Sequence, residues 1–152
     1  EDYEAVIAAI IKNGAKEGAT LLVGHGTYTP ATAQYAMLDY MLKEKGLKNY
    51  SVGTIEGYPS FDTMEAQVKA NGTKKVLLMP FMFVAGDHAK NDIAGDWKEE
   101  LEKKGYEVSV FMEGLGQNPD IQKIFIEHAR FMAKHKMIDI VDKKKAYAVE
   151  KD

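Results

Sequence analysis

Two patterns of apolar and polar residues alternate along this chain. The stretches "ATLLVGHG" at 19–26 and "KKVLLMPFMFVAG" at 74–86 are short apolar runs that end in glycine, as buried strands often do. The stretch "TPATAQYAMLDYMLKEKG" at 29–46 instead repeats its apolar residues at helical spacing and stops at Gly46. Strand-like runs followed by helix-like stretches predict βαβ units.

Four strands and five helices are predicted from these patterns. The strands are expected at 19–26, 50–59, 74–86 and 105–116, and the helices at about 1–18 (closing near Gly14 or Gly18), 29–46, 60–72, 92–104 and 118–135. Ser60 is the expected N-cap of the third helix, and the fifth helix is entered through Pro119. Strands and helices of this length form right-handed crossovers, so we expect one parallel sheet with helices on both faces.

The composition excludes several functional classes. A chain of 152 residues with 45% hydrophobic residues is most simply one globular domain, and its net charge of −3 gives no reason to expect nucleic acid or a membrane surface as a partner. The absence of cysteine excludes thiolate metal sites, disulfides and thiol nucleophiles. The sequence shows no apolar run of about 20 residues and no leader pattern, so a cytoplasmic location is expected.

The end of the chain differs from the rest. We expect the α/β domain to occupy 1–135 and a tail to occupy 136–152. The tail contains a lysine run typical of a solvated segment, but also Met137, Ile138, Ile140 and Val141, which could be buried against a partner.

Three candidate functional residues follow the first three strands. His25 lies in "GHGT", Glu56 in "IEGYP" and His88 in "AGDHA", each separated from the next by about one strand and one helix. In an open parallel sheet, ligands bind outside the carboxyl ends of the strands. Two imidazoles and a carboxylate at that edge are suitable ligands for a divalent first-row metal, so the sequence predicts a metal site.

Each of the three residues also has an ordinary structural explanation. His25 could bond to the backbone of its loop, and Glu56 could cap a helix or pair with a lysine. The stretch "GDHAKND" around His88 could be an elaborate helix cap. The motif "GHGT" at a strand–helix junction is also compatible with phosphoryl transfer, although no lysine or arginine lies between Lys16 and Lys43 to assist it.

The stretches "VGHGT", "GTIEGYPS", "LLMPFMFVAGDHAKNDIAGDW" and "GLGQNPDIQKIFIEHAR" resemble the anaerobic sirohydrochlorin cobaltochelatases, which are class II chelatases. The resemblance implies a flavodoxin-like, or chelatase-like, three-layer α/β/α domain with a four-stranded parallel sheet. It also implies insertion of Co²⁺ into sirohydrochlorin, or a precorrin-2-like tetrapyrrole, without ATP in cobalamin biosynthesis. In the family two histidines and a glutamate hold the metal, and they correspond to His25, His88 and Glu56, which are therefore the expected catalytic residues.

The resemblance further implies a tetrapyrrole surface and a second α/β unit. The expected contacts to the macrocycle are Gly26, Thr27, Tyr58, Phe83 and Lys90. Fe²⁺, Ni²⁺ or Zn²⁺ could occupy the site of Co²⁺. Family members of this type have about twice this length, so the expected partner is either a missing amino-terminal half or the mate in a homodimer. The alternative function is a metal or tetrapyrrole carrier without turnover.

Overall fold

The computed structural model describes residues 2–87, 89–135 and 141. The strands are β1 (Ala19–Gly26), β2 (Tyr50–Glu56), β3 (Lys75–Pro80) and β4 (Glu107–Val110). The helices are α1 (Asp2–Ile11), α2 (Ala33–Glu44), α3 (Phe61–Ala70), α4 (Lys98–Lys103) and α5 (Pro119–Lys134); a π-helical segment, Ala89–Trp97, leads directly into α4. Among the described residues, no helix has both the length and the apolar character needed to cross a bilayer.

The four strands form one parallel sheet in the order β2-β1-β3-β4. The predicted α/β architecture, with four parallel strands and helices on both faces, is therefore confirmed. β1 lies inside the sheet between β2 and β3, and its first six residues are buried, as its mostly apolar sequence favours. All strands run in the same direction, so their carboxyl ends meet at one edge of the sheet.

Each face of the sheet has its own apolar layer. Successive strand residues point to opposite faces, so Leu21 and Val23 contribute to one layer while Leu22 contributes to the other. The layer beneath α3 and α4 contains Ala19, Leu21, Val23, Met64, Val68, Val76, Leu78, Ile93, Trp97, Leu101 and Tyr106. The layer beneath α1 and α2 contains Ile7, Ile10, Leu22, Leu38, Leu42, Tyr50, Val52 and Met79.

The helix ends agree with the local sequence signals. The Ser60 side chain accepts a hydrogen bond from the backbone N–H of Thr63, which confirms it as the N-cap of α3. Asn118 caps α5 in the same way through the N–H of Asp120, and Pro119 occupies the first helical position. These caps satisfy backbone donors that have no partner within the helix.

The structure corrects several predicted boundaries. The second strand ends at Glu56 rather than 59, and the fourth strand, expected over 105–116, covers only Glu107–Val110. The first helix ends at Ile11, before either expected glycine, and the fourth helical region begins at Ala89 rather than near 92. The third strand ends at Pro80 instead of continuing to 86. The residues after Pro80 leave the sheet because their carbonyls pair with a loop: Met82 and Phe83 accept hydrogen bonds from Leu115 and Gly116.

Candidate functional site

His25 lies at the carboxyl end of the central strand β1, where the sequence predicted it. The residue is half-buried, and its Nδ1 atom is 3.3 Å from the carbonyl oxygen of Gly26. A carbonyl oxygen can only accept, so this contact favours the tautomer that carries the proton on Nδ1. That tautomer has its lone pair on Nε2, which is the form of imidazole that binds a metal ion.

Glu56 is the last residue of β2 and lies beside the end of β1. The register pairs Gly26 with Glu56, so the two expected ligands, His25 and Glu56, stand on adjacent strand ends. Strand alternation would point their side chains to opposite faces of the sheet. A shared ion would therefore have to lie beyond the ends of the strands.

The third expected ligand, His88, lies outside the described residues. The side chain of Lys90 is likewise outside them. Among the residues that the structure does describe, no group of three or more histidine, aspartate or glutamate side chains could hold a metal. The three-residue metal site therefore stays a prediction, with two of its members placed on neighbouring strands.

Residues 24–33 and 54–60, here called the β1–β2 half of the carboxyl edge, comprise the ends of β1 and β2 and the loops that follow them. These two segments are in very close contact. A Cβ atom on Gly26 would lie 1.7 Å from the carbonyl oxygen of Glu56, and a Cβ on Gly57 would lie 2.2 Å from that of Thr27. Both glycines also have positive φ angles, 82° and 86°. Glycine is required at both positions, because any side chain would separate the two loops.

Hydroxyl groups reinforce the contact between these two loops. The Thr32 hydroxyl donates to the carbonyl of Tyr58 at 2.7 Å and accepts from the N–H of the same residue at 3.0 Å. On the strand side, the backbone N–H and the hydroxyl of buried Thr54 both donate to the carbonyl of Pro59, at 2.7 and 2.9 Å. The Tyr35 hydroxyl accepts a longer hydrogen bond, 3.3 Å, from the N–H of Gly26. Sequence reasoning missed Thr32 and Tyr35, because their partners lie on other loops and no local pattern indicates them.

The loops after β3 and β4, here called the β3–β4 half of the edge (residues 81–87 and 111–118), pack differently. Backbone hydrogen bonds connect Met82 and Phe83 to the loop at 115–116, and the Phe83 ring lies edge-on to Phe125 of α5 at 5.2 Å between centroids. Phe83 nevertheless remains 57% exposed, and Val84 beside it is also exposed. This half of the edge therefore presents apolar surface to its surroundings.

Aromatic side chains are exposed on the β1–β2 half as well. Tyr58 is 53% exposed and Tyr28 is largely exposed, while Thr27 is half-buried. Exposed aromatic side chains that cluster near one edge of a domain are typical of a contact surface.

An apolar cleft of about 450 Å³ adjoins this edge and was not predicted from the sequence. It lies between α1 and α2, next to the ends of β1 and β3, and its lining consists of Asp2, Tyr3, Val6, Thr27, Ala31, Gln34, Tyr35, Leu38 and Phe81. Burial raises the pKa of Tyr3, whose hydroxyl donates to the side chain of Gln34. The cleft is continuous with the β1–β2 half through Thr27 and Tyr35.

The family model described as "Cobalt chelatase (CbiK)" matches residues 1–134. The sirohydrochlorin cobaltochelatase of Salmonella typhimurium is 38% identical over 112 residues, which are 71% of this chain and 42% of that protein. The sirohydrochlorin cobaltochelatase CbiKC of Nitratidesulfovibrio vulgaris is 30% identical over 133 residues, which are 84% of this chain and 47% of that protein. The chain thus spans about half the length of the curated relatives it matches.

Two solved structures have the same fold. The cobalamin biosynthesis protein CbiX of Marinobacter aquaeolei superposes with a TM-score of 0.64 at 19% identity, over 79% of this chain and 100% of that one. The sirohydrochlorin chelatase SirB of Bacillus subtilis subspecies spizizenii, solved in complex with cobalt, gives a TM-score of 0.62 at 18% identity, over 77% of this chain and 51% of that one. At these identities the two structures support the α/β architecture and nothing finer.

Proposed function

Because the chain belongs to the cobalt chelatase (CbiK) family, we propose that it inserts Co²⁺ into sirohydrochlorin as a step of cobalamin biosynthesis. The observation that carries this proposal is the match over residues 1–134, which includes His25, Glu56 and His88. Two relatives that share 38% and 30% of aligned residues with this chain carry the name sirohydrochlorin cobaltochelatase. The reaction is the ATP-independent type that the sequence resemblance implies.

In this proposal His25, Glu56 and His88 are the catalytic residues and bind the substrate metal ion. Their chemistry fits Co²⁺, since neutral imidazole and carboxylate are both ligands for divalent first-row metals and three of them leave coordination positions open. The adjacent strand ends that carry His25 and Glu56 support the assignment. Fe²⁺, Ni²⁺ and Zn²⁺ can use the same ligands, so selectivity for cobalt has to come from availability and from the macrocycle.

The proposed reaction exchanges two pyrrole N–H protons for one metal ion. As ring nitrogens replace protein ligands around Co²⁺, an imidazole released from the metal can accept one of these protons on its free ring nitrogen. The second proton passes to water or to the other released ligand. No ATP, oxidant or reductant is needed for this exchange.

We place the macrocycle against the carboxyl edge of the sheet. Tyr58 and Phe83 present exposed rings there, Gly26 lets a flat ligand approach the backbone, and Thr27 and Lys90 supply polar contacts for carboxylates. The exposed aromatic rings on the loops after β2 and β3 support this placement.

The proposed partner is a second α/β unit that covers this edge from the other side, either a second copy of this chain or the half that the longer relatives contain. Two observations support it. The chain spans about half of those relatives, and α5 leaves Phe125, Ile126, Phe131 and Met132 exposed. The predicted docking of the tail onto that partner concerns residues that, apart from Val141, lie outside the described part of the chain. The predicted cytoplasmic location likewise stays a prediction, and cell fractionation tests it.

The half-length match also favours an alternative, in which the isolated chain binds metal or tetrapyrrole but does not catalyse insertion. A spectral assay with sirohydrochlorin and Co²⁺, combined with the molecular mass in solution, separates the two. Turnover by wild type that is lost in His25→Ala and Glu56→Gln supports the chelatase. Tight binding without turnover at any protein concentration supports the carrier, and absence of both contradicts the proposal.

His88 can be tested separately, since the structure does not describe it. We expect His88→Ala to weaken Co²⁺ binding at least ~10-fold, equivalent to about 1.4 kcal/mol, with little change in the stability of the metal-free protein. A helix-capping role predicts the opposite result, namely unchanged affinity and a loss of about 1 kcal/mol of stability. Calorimetric titration with Co²⁺ and thermal melts distinguish them.

A further inference from the structure

Thr32 makes two hydrogen bonds that no local signal in the sequence predicts. The residue ends the short 3₁₀ turn Pro30–Thr32 that precedes α2, and it is half-buried. Its hydroxyl bonds both the carbonyl and the N–H of Tyr58, which is 26 positions further along the chain. One side chain on the β1 loop thus occupies both backbone groups of one residue on the β2 loop.

The β1 loop that carries Thr32 is held by hydrogen bonds between its own residues. The Thr27 hydroxyl accepts a hydrogen bond from the N–H of Thr29 at 3.2 Å, and the carbonyl of Thr29 accepts one from the N–H of Thr32 at 3.0 Å. These hydrogen bonds fix the position of Thr32 in the β1 loop. The bonds of Thr32 to Tyr58 then hold the β2 loop in a fixed position relative to the β1 loop.

Glu56 lies between two anchor points of the β2 loop. On the strand side, Thr54 holds the carbonyl of Pro59 with two hydrogen bonds. After Glu56, the Gly57 backbone lies against the carbonyl of Thr27, and the Thr32 hydroxyl bonds to the backbone of Tyr58. The ladder that pairs Gly26 with Glu56 holds the strand ends themselves, and of the anchors beyond it the Thr32 hydroxyl spans the two loops by side-chain hydrogen bonds. Thr32 therefore limits how far the loop that follows Glu56 can move from the β1 loop.

We propose that Thr32 is a positioning residue: it clamps the β2 loop to the β1 loop just beyond the paired strand ends and so restricts the Glu56 side chain relative to His25. Thr32 itself touches neither metal nor macrocycle. The inference rests on the proposed function, since it assumes that His25 and Glu56 bind the same ion. Residues that orient metal ligands typically change metal affinity by 10–100-fold when they are replaced. A residue that only supported the fold would change stability and leave affinity intact.

The test compares Thr32→Val, which removes both hydrogen bonds at nearly constant volume, with Thr32→Ser, which keeps the hydroxyl. Calorimetric titration with CoCl₂ measures affinity, and the visible absorption of bound Co²⁺ reports its coordination geometry. We expect Thr32→Val to weaken binding about 10-fold and to alter the absorption bands, and Thr32→Ser to stay within about twofold of wild type. The melting temperature of metal-free Thr32→Val should fall by only roughly 2–4 °C, because water can replace the lost bonds at exposed Tyr58.

Thr73→Val is the matched control. The Thr73 hydroxyl also donates to a backbone carbonyl, that of Lys75 at 3.2 Å, but at the amino end of β3. The control should bind Co²⁺ like wild type, with an unchanged spectrum.

Several results would overturn the proposal. If Thr32→Val binds Co²⁺ and absorbs like wild type while His25→Ala does not bind, the positioning role is wrong and the proposed function stands. If His25→Ala also binds like wild type, the metal site is wrong and the role of Thr32 falls with it. If both Thr32→Val and Thr32→Ala, which introduces a smaller side chain, fail to fold, Thr32 is a determinant of the fold rather than a positioning residue.

Discussion

The two halves of the carboxyl edge are held in different ways. In the β1–β2 half, hydroxyl groups of Thr32 and Thr54 bond to backbone groups of the β2 loop, and Gly26 brings the backbones of two paired strands into contact. In the β3–β4 half, two loops outside the sheet bond to each other through backbone groups, and Phe83 packs edge-on against Phe125 while remaining exposed. The half that carries His25 and Glu56 is thus fixed to the sheet, whereas the other half has room to adjust.

This difference suits the two tasks in the proposed function. The fixed half carries two of the three proposed metal ligands, His25 and Glu56, and His88 follows the loop of the other half. Coordination distances tolerate little variation, so the two ligands of the fixed half set where the ion lies. Contact with a macrocycle or with a second α/β unit tolerates more, since apolar surfaces can adapt by small movements. The following substitutions test whether the first half is in fact the more rigid one.

The largest effect is expected for Gly26→Ala in the β1–β2 half. The new Cβ would lie 1.7 Å from the carbonyl oxygen of Glu56, in a sheet pairing that cannot open without breaking the register. We expect a loss of about 3 kcal/mol or more in the free energy of unfolding and a Co²⁺ affinity at least ~10-fold weaker. Chemical denaturation and calorimetric titration measure the two changes.

Gly46→Ala is the matched control for that substitution. Gly46 has a similar positive φ angle, 79°, but a Cβ there would meet no atom within 4 Å in the part of the chain that the structure describes. It should lose only the conformational advantage of glycine, about 1 kcal/mol, with unchanged Co²⁺ affinity. Equal losses in the two variants would contradict the close contact between the strand ends.

A smaller effect is expected for Gly114→Ala in the β3–β4 half. Its Cβ would lie 2.7 Å from both the N atom of Ala85 and the carbonyl oxygen of Phe83. These are backbone atoms, so the loop as a whole has to move, but it lies outside the sheet and the contact of 2.7 Å is longer than that of 1.7 Å at Gly26. We therefore expect a loss of about 2 kcal/mol, smaller than that for Gly26→Ala. Gly86→Ala is the comparison within the same half, because no atom of the described residues lies within 4 Å of the added Cβ, and its stability should stay close to that of wild type. A loss for Gly114→Ala as large as that for Gly26→Ala would remove the distinction between the two halves.

The smallest effect is expected for Tyr35→Phe. The substitution removes a long hydrogen bond, 3.3 Å, from the N–H of Gly26 but keeps the ring and its edge-on contact with Phe81. We expect a loss of about 0.5–1 kcal/mol in thermal or chemical denaturation. Tyr40→Phe on the same helix provides the control, because Tyr40 is 69% exposed, and it should not change stability. If Tyr35→Phe is as stable as Tyr40→Phe, the hydroxyl contributes nothing to holding the end of β1.

Much of the fold could be read from local patterns, since these patterns report local energetics. The apolar run at 19–26 became a strand with the predicted limits, because a chain segment that is apolar on both sides is stable only between two layers. Ser60 became the N-cap because its side chain satisfies an N–H three residues away, which is a purely local interaction. Boundaries that depend on distant partners were predicted less well. The third strand stops at Pro80 because the residues after it bond to Leu115 and Gly116, and no feature near Pro80 indicates that pairing.

In the candidate site, too, local patterns predicted some features, whereas others depend on contacts between distant segments of the chain. The sequence by itself determined that His25 and Glu56 lie at strand ends, because each ends an apolar run, and the parallel topology brings such ends to one edge of the sheet. Only the tertiary structure decided that β1 and β2 are neighbours, that Gly26 faces Glu56 in the register, and that the Thr32 hydroxyl bridges the two loops. Local spacing fixes where a residue lies along its own strand, but the distance between two strand ends depends on contacts between segments that are far apart in the chain, and these form only when the whole sheet is assembled.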